Sequence, residues 1–314
     1  ASGAVRAAMP MVRFGPPCDK PSASIPTACG GWTETCAAYR FFQDNRVDAA
    51  KVLESHREAT LKRIAEHKVV LLAQDTTELD LTRPEERMEG AGPLNDECRW
   101  GFYAHPLLAF TPERIPLGVV HAEIWARDLE EFLASRRNKA QDPRAKDKRK
   151  KALPIEAKES YRWLEGYQLG CEVAAQLPET TTVVISDSEA DIYECFLEAA
   201  PEDGKKKAEW ITRACQDRNL SERTPQGYAH LRQKVATTRV LGTMEVEVRE
   251  RPANQAKEGK RNQPRTARIA TVTIQATRLK LRGPQRPGGR PADVEVNAIL
   301  VREQNPPRGE EPIE

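Results

Sequence analysis

Asp75 and Asp187 each end a mainly apolar run, in the stretches KVVLLAQD and TTVVISD. Runs of this kind are typical of strands buried on both faces. If the two strands are neighbours in a mixed sheet, the two carboxylates meet at one edge. Carboxylate oxygens suit Mg²⁺ or Mn²⁺, and such ions stabilise the attacking and leaving oxygens of a phosphoryl transfer. A strand-end aspartate is also a common cap or turn residue, so the residues alone leave that interpretation open.

The stretch after Asp187 is strongly acidic, with Glu189, Asp191 and Glu194 following within seven positions. Residues 188–200 are predicted to form a helix, and acidic side chains in a first turn complement the positive end of the helix dipole. That explanation covers Glu189 and Asp191. It does not cover Asp187, which belongs to the strand end itself.

The apolar pattern around the two aspartates predicts alternating strands and helices. Residues 154–178 have apolar side chains at helical spacing, bounded by two prolines. Beyond residue 237, apolar and polar residues alternate, which is typical of an antiparallel sheet with one solvated face. The predicted strands are 68–82, 99–113, 114–127, 181–187 and 208–215, and then 239–251, 267–283 and 292–304.

Net charge, cysteine usage and the length of apolar runs indicate the general class of protein. The 314 residues have a net charge of only +2, but Arg and Lys cluster in 136–151 and 249–290. Such clusters bind DNA phosphates or form solvated loops. Seven cysteines without a Cys-x-x-Cys pair favour a reduced, cytoplasmic protein over a disulfide frame or a zinc site. No apolar run approaches ~18 residues, so no membrane-spanning helix is predicted.

Five segments occur in an order that carries a family resemblance: GGWTETCAAYRFFQDNRV, QDTTELDLT, ESYRWLEG, SDSEADIYECF and VNAILVREQNPPRGEEP. Together they resemble the bacterial cut-and-paste DDE transposases encoded by insertion sequences and composite resistance transposons. The resemblance runs from about Ser22 to the C-terminus. It implies an α/β fold, namely an RNase H-like mixed sheet with flanking helices, an N-terminal helical segment and an antiparallel β insertion.

The expected division of the chain follows from that fold. Residues 1–25, rich in Pro, Gly, Ala and Ser, are predicted to be a disordered or divergent tail, and 26–67 a helical segment. Residues 68–236 are predicted to form part of the RNase H-like catalytic core. Residues 237–314 are predicted to form the β insertion.

The resemblance also assigns roles to residues. Asp75 and Asp187 match the family's first two catalytic aspartates, which bind Mg²⁺ or Mn²⁺. Arg213 and Arg218 fall where the family places basic residues near DNA, with solvated strand-end side chains as the alternative interpretation. Lys260 and Arg261, in the second basic cluster, are further candidates for DNA binding.

Three departures from the family pattern limit this assignment. Ser188 stands where the family has an arginine after the second aspartate. The third catalytic residue, a glutamate beyond the β insertion, has no counterpart, since Glu310, Glu311 and Glu314 lie in a Pro-rich stretch. The N-terminal helix that binds transposon ends is expected to be missing or to be replaced by the segment ASGAVRAAMPMVRFGPPCDK. The sequence is therefore expected to be truncated at both ends.

The leading hypothesis is a transposase, acting by metal-dependent phosphoryl transfer at transposon ends, present as an incomplete fragment that is inactive alone. The alternative is a catalytically inactive remnant that binds DNA or inhibits a full-length transposase. An unrelated RNase H-like nuclease is a third hypothesis, which the YRFF segment and the β insertion disfavour. Expected partners are duplex DNA and a second copy or a full-length transposase, in a bacterial cytoplasm at the nucleoid and without a membrane.

Overall fold

The computed structural model describes residues 24–29, 31–83, 88–96, 98–141, 153–202, 204–252, 264–286 and 288–314. Within these ranges, three helices precede the first strand: α1 (Ile25–Ala28), α2 (Trp32–Gln43) and α3 (Ala49–Ile64). Asp48 caps α3, because its carboxylate accepts a hydrogen bond from the backbone N–H of Ala50 at 2.9 Å. None of the helices in the described part of the chain is long and apolar enough to cross a membrane.

The strands of the first sheet are β1 (Val69–Gln74), β2 (Thr77–Asp80), β3 (Gly92–Pro93), β4 (Trp100–Phe110), β5 (Pro116–Trp125), β6 (Thr181–Ser186) and β7 (Glu209–Thr212). The sheet is mixed and follows the path β5–β4–β1–β6–β7. Strand β4 runs antiparallel to β1 and β5, whereas β6 runs parallel to β1 and β7 parallel to β6. Two short strands, β2 and β3, also pair with β4.

Strands β1 and β2 pair with β4 one after the other, in a single continuous register. Gln74 is opposite Leu107 and Thr77 is opposite Ala104, so the register continues without a shift across the break. The residue opposite Asp75 in that register is Pro106, which has no N–H to donate to a ladder. The strand is therefore interrupted at the predicted catalytic aspartate, not ended there.

Helices cover this sheet and close its core. Between β5 and β6, the described residues contain the α-helices α4 (Leu129–Gln141) and α5 (Tyr161–Gln176). Helix α3 packs against β5 and α5 against β6. Burial alternates along β1 and β6, with one face fully buried and the other half-buried or exposed. The prediction that these two strands are buried on both faces is therefore wrong. The shared core contains Ile64, Val70, Leu72, Leu107, Val120, Tyr167, Val173 and Val184, and burying side chains of this size contributes about 1.5–3 kcal/mol each before conformational entropy is subtracted.

The second sheet is separate and entirely antiparallel in its described pairings. The elements in this part of the chain are α6 (Tyr193–Ala199), β8 (Asn219–Thr224), β9 (Gly227–His230), α7 (Leu231–Ala236), β10 (Val240–Val248), β11 (Arg268–Leu281) and β12 (Val294–Glu303). Strand β11 is central, with β12 along one side and β10 and β8 paired to it as well. The predicted antiparallel sheet after residue 237 is confirmed. The sheet also contains the hairpin of β8 and β9, which lies before residue 237 and was not predicted.

Helix α6 joins the two sheets. Tyr193 and Phe196 on this helix are buried against Leu220 and Leu281 of the second sheet. The Tyr193 hydroxyl donates a hydrogen bond to the backbone oxygen of Ala292 at 2.7 Å. Phe196 also contacts Trp210 of β7 edge to face, with ring centroids 4.8 Å apart. The acidic segment after Asp187 therefore leads directly into the contact between the sheets.

Candidate functional site

Asp75 and Asp187 lie side by side at one edge of the first sheet and together form its acidic edge. Strands β1 and β6 are parallel, and their last registered pair is Gln74 with Ser186. The next residue of each strand is one of the two aspartates, and both are exposed. The structure thus brings together the two residues that the sequence analysis selected, while their catalytic role stays a prediction.

Each aspartate is held by the backbone that follows it. An Asp75 Oδ1 accepts a hydrogen bond from the Thr76 N–H at 2.8 Å. Asp187 caps a 3₁₀ turn, Ser188–Ala190, by accepting from the Glu189 N–H at 2.7 Å. The Thr212 hydroxyl of β7 donates to the backbone oxygen of Asp187 at 2.9 Å. Asp187 therefore caps a turn, as the alternative interpretation of a strand-end aspartate predicted. Its second carboxylate oxygen has no hydrogen-bond partner within the described residues.

Glu189 is a third carboxylate in the field of this pair. Partial burial raises the pKa of Glu189, and the negative charges of Asp187 and Asp75 raise it further. Sequence reasoning assigned Glu189 only to a helix dipole, although its position two residues after Asp187 was a usable signal. Within the described residues, no three His, Cys, Asp or Glu side chains are arranged to hold one metal ion.

A network of buried polar side chains connects the residues that adjoin the two aspartates. The Gln74 amide donates to the Ser186 hydroxyl at 3.0 Å and to the backbone oxygen of Trp163 at 3.3 Å. His105 Nε2 lies 3.2 Å from Gln74 Oε1, and His105 Nδ1 lies 2.8 Å from the Thr76 hydroxyl. The residues adjoining Asp75 and Asp187 are thus tied to each other and to helix α5.

His105 is neutral in this network. The residue is only 3% exposed, and burial lowers the pKa of its ring from 6.5 to about 4, with smaller contributions from Arg162 and His121. Because the Gln74 Oε1 can only accept, Nε2 carries the ring proton, and Nδ1 accepts from the Thr76 hydroxyl. The sequence signal for His105 was a polar residue within a mainly apolar strand. That signal did not reveal its hydrogen-bond partners, Gln74 and Thr76.

Gly166 on α5 makes room for the network. A Cβ at this position would overlap the Gln74 Oε1, far inside van der Waals contact. Only glycine lets helix α5 approach the Gln74 side chain this closely. The ESYRWLEG segment therefore supplies both the Trp163 carbonyl and the space that Gln74 occupies.

Asp191 has a different role from the one that the helix-dipole explanation gave it. It precedes α6 and its carboxylate accepts hydrogen bonds from the Cys215 and Gln216 N–H groups at 2.8 and 2.9 Å. It also forms an ion pair with Arg218 at 2.5 Å, and the two side chains are only 1% and 10% exposed. The dipole explanation is wrong for Asp191, which instead anchors the loop after β7.

The four predicted DNA-binding residues fall into different surroundings. Arg218 is paired with Asp191 and lies over the Phe196 ring at 5.0 Å, so its described contacts are internal. Arg213 is exposed, and its N–H donates to the Ser186 oxygen at 3.3 Å, next to the acidic edge. It lines a pocket of about 190 Å³ with Arg251, Arg265 and Glu310 among its other walls. Lys260 and Arg261 lie outside the described residues.

A protein-family model described as transposase DNA-binding matches residues 18–47, which include α1 and α2. This match supports a transposase family and DNA as a partner. It also corrects the expectation that the region for DNA binding is missing from the N-terminal part. No curated protein matches the chain.

Proposed function

We propose that this chain carries the catalytic aspartates of a DDE transposase, and that it acts on DNA by metal-dependent phosphoryl transfer at transposon ends. The observation that carries the proposal is the parallel register of Gln74 with Ser186, because it sets Asp75 and Asp187 next to each other. The transposase DNA-binding match at residues 18–47 supports the same conclusion independently.

The strand arrangement agrees with an RNase H-like core. Three antiparallel strands in chain order (β1, β4 and β5) are followed by two parallel strands on the other side of β1. This arrangement supports the architecture that the family resemblance implies, in which the separate antiparallel sheet would be the β insertion.

Two carboxylates at one exposed edge fit Mg²⁺ or Mn²⁺ by the chemistry of their oxygens. Asp75 and Asp187 would be the ligands, and a bound ion supplies activation of water and stabilisation of the leaving oxygen. The chain itself positions the ligands: Thr76 and Glu189 backbone N–H groups orient the two carboxylates. Gln74 and Ser186 join the strands directly beneath them.

A second candidate function is a catalytically inactive DNA-binding or inhibitory relative of a transposase. It is favoured by the absence, within the described residues, of a third side chain that would complete a three-ligand metal site. The two proposals share DNA binding and differ in cleavage. DNA cleavage by the purified chain in Mn²⁺, lost on replacing either aspartate, would decide for the enzyme.

Metal binding gives the first test of the acidic edge. Asp75→Asn or Asp187→Asn should each weaken Mn²⁺ binding roughly tenfold or more, because ligand charge is reduced. Asparagine at position 187 can still accept the Glu189 N–H bond, so the 3₁₀ turn should stay capped. Isothermal titration calorimetry would measure the affinities, with circular dichroism to check the fold.

Asp80→Asn is the matched control, since Asp80 is an exposed carboxylate on the same strand line that is bound to Thr82 and Arg99. Its Mn²⁺ affinity should equal that of the wild type. If all three variants bound Mn²⁺ equally, the acidic edge would not be the metal site.

DNA binding gives a second test, centred on the segment that matches the family model. Arg40 is exposed on α2, whereas Arg46 is bound to Asp44 through bonds of 2.6 and 2.9 Å. Arg40→Gln should weaken duplex binding and lower its salt dependence by the share of about one phosphate, since neutralising a phosphate releases counterions. Arg46→Gln should change both less, because its charge is already paired.

Fluorescence anisotropy with a short duplex, at several salt concentrations, would measure both quantities. Binding that does not vary between low and moderate salt would count against DNA recognition through phosphates. A short duplex of one sequence preferred strongly over others would show end recognition by this segment.

A further inference from the structure

Two arginines share the ring of Tyr228 in the hairpin of the second sheet. The guanidinium carbon of Arg282 lies 3.7 Å from the ring centroid, and that of Arg223 lies 5.1 Å from it. An Arg223 Nη2 also donates a hydrogen bond to the Tyr228 hydroxyl at 3.0 Å. Both cations are within the range of a cation–π contact, about 6 Å.

The fold fixes this arrangement from two directions. Arg223 is opposite Tyr228 across the hairpin of β8 and β9, and cross-strand partners hold their side chains on one face. Arg282 follows the end of β11, where its N–H donates to the Asn219 oxygen at 2.9 Å. The adjacent pair Leu220 and Leu281 is buried at 2% and 1% exposure, so the backbone beneath the cluster is well anchored.

The neighbouring carboxylates do not neutralise these two arginines. Glu222, next to Arg223, pairs with Lys234 at 2.6 Å. Asp293 accepts from the Ser221 hydroxyl at 2.6 Å, from the Gly283 N–H at 3.0 Å and from Arg290 at 3.2 Å. Within the part of the chain described, neither Arg223 nor Arg282 forms an ion pair with an acidic side chain. Two like charges are thus held near one ring, and neither has an ion-pair partner among the described residues.

We propose that Arg223, Tyr228 and Arg282 form a binding site for the phosphodiester backbone of duplex DNA. This inference rests on the proposed function for its choice of ligand and adds a contact on the second sheet, apart from the acidic edge and from residues 18–47. A guanidinium stacked on a ring is pre-oriented, so its planar fork meets phosphate oxygens with little further loss of freedom. An arriving phosphate also relieves the repulsion between the two cations.

The experiment compares charge removal with loss of the ring. Replacing both arginines (Arg223→Gln with Arg282→Gln) should weaken binding to a random-sequence 20-base-pair duplex. The slope of log affinity against log salt should fall by about 0.9 for each phosphate that the variant no longer neutralises. Tyr228→Leu keeps both charges but removes the stacking surface, so it should also lower affinity, whereas Tyr228→Phe should bind nearly as the wild type does.

Arg278→Gln is the matched control, since Arg278 is 70% exposed on β11 but is paired with Glu295 at 2.6 Å. The proposal is overturned if the double variant binds no more weakly than this control, or if Tyr228→Leu binds as the wild type does. Circular dichroism would confirm that each variant is folded.

A second probe, inorganic pyrophosphate, separates this proposal from the proposed function. It should raise the melting temperature of the wild type and not that of the double arginine variant. If the wild type bound no duplex DNA, both proposals would fail. If it bound duplex DNA but cleaved none in Mn²⁺, the proposed transposase activity would fail, and the arginine site would still be decided by the duplex and pyrophosphate comparisons. Equal pyrophosphate stabilisation of the two proteins would overturn it.

Discussion

Asp191→Ala should lower the free energy of unfolding by about 3–5 kcal/mol, the usual loss when one partner of a buried ion pair is removed. The substitution leaves the Arg218 guanidinium without its counter-charge, in a place where the side chain is only 10% exposed. It also leaves the Cys215 and Gln216 N–H groups without the acceptor that they share. Urea denaturation at neutral pH would measure the loss.

Glu295→Ala is the control for this substitution. Glu295 and Arg278 form an ion pair whose side chains are 55% and 70% exposed, and pairs of that kind contribute less than about 1 kcal/mol. If the two variants lost the same stability, the Asp191 pair would not be an anchor. Asp191→Leu combined with Arg218→Met should recover part of the loss, because apolar side chains can replace a buried pair.

Acid should destabilise the protein through His105. In the unfolded chain its pKa returns to about 6.5, while in the fold burial lowers the pKa to about 4. The unfolded state therefore binds the proton first, and stability falls as pH drops from 6.5 towards 4. This difference in pKa corresponds to about 3 kcal/mol in the free energy of unfolding. That stability is fully present above pH 6.5 and fully lost below pH 4.

Urea denaturation at pH 7, 6 and 5 would test this, in the wild type and in His105→Gln. Glutamine does not titrate, so the loss of stability between pH 7 and 5 should be smaller in the variant by the histidine's share. Parallel curves for the two proteins would show that His105 does not take up the proton. Carboxylates titrate in both proteins alike and so cancel in the difference.

The strands around the aspartates could be predicted because their signal is local. Apolar runs before Asp75 and Asp187 marked β1 and β6, and alternation marked β10, β11 and β12. The hairpin of β8 and β9 was missed because its residues, NLSERT and GYAH, are mostly polar or small. Its strands are held by tertiary contacts such as Leu220 against Leu281, which no local pattern encodes.

The site was predictable only in part, for a related reason. The positions of the two aspartates at the ends of apolar runs indicated that both lie at an edge of a sheet. Whether they are adjacent depends on the order of the strands in the sheet, which is a long-range property. The network of Gln74 and His105 joins residues 31 positions apart, and Gly166 was recognisable as a spacer only once α5 lay against it. The Asp191 anchor was misassigned because a carboxylate after a strand fits a helix start equally well.

The two aspartates differ in how freely they can move. Asp75 interrupts a strand whose register along β4 is the same on both sides. A slip of either half by one residue would turn its side chains to the opposite face, so Asp75 can shift only with the whole strand. Asp187 begins a single 3₁₀ turn, whose far end is fixed at Asp191. We therefore expect any adjustment of the separation between the carboxylates, on the nanosecond-to-microsecond timescale of loop motions, to come from the Asp187 side.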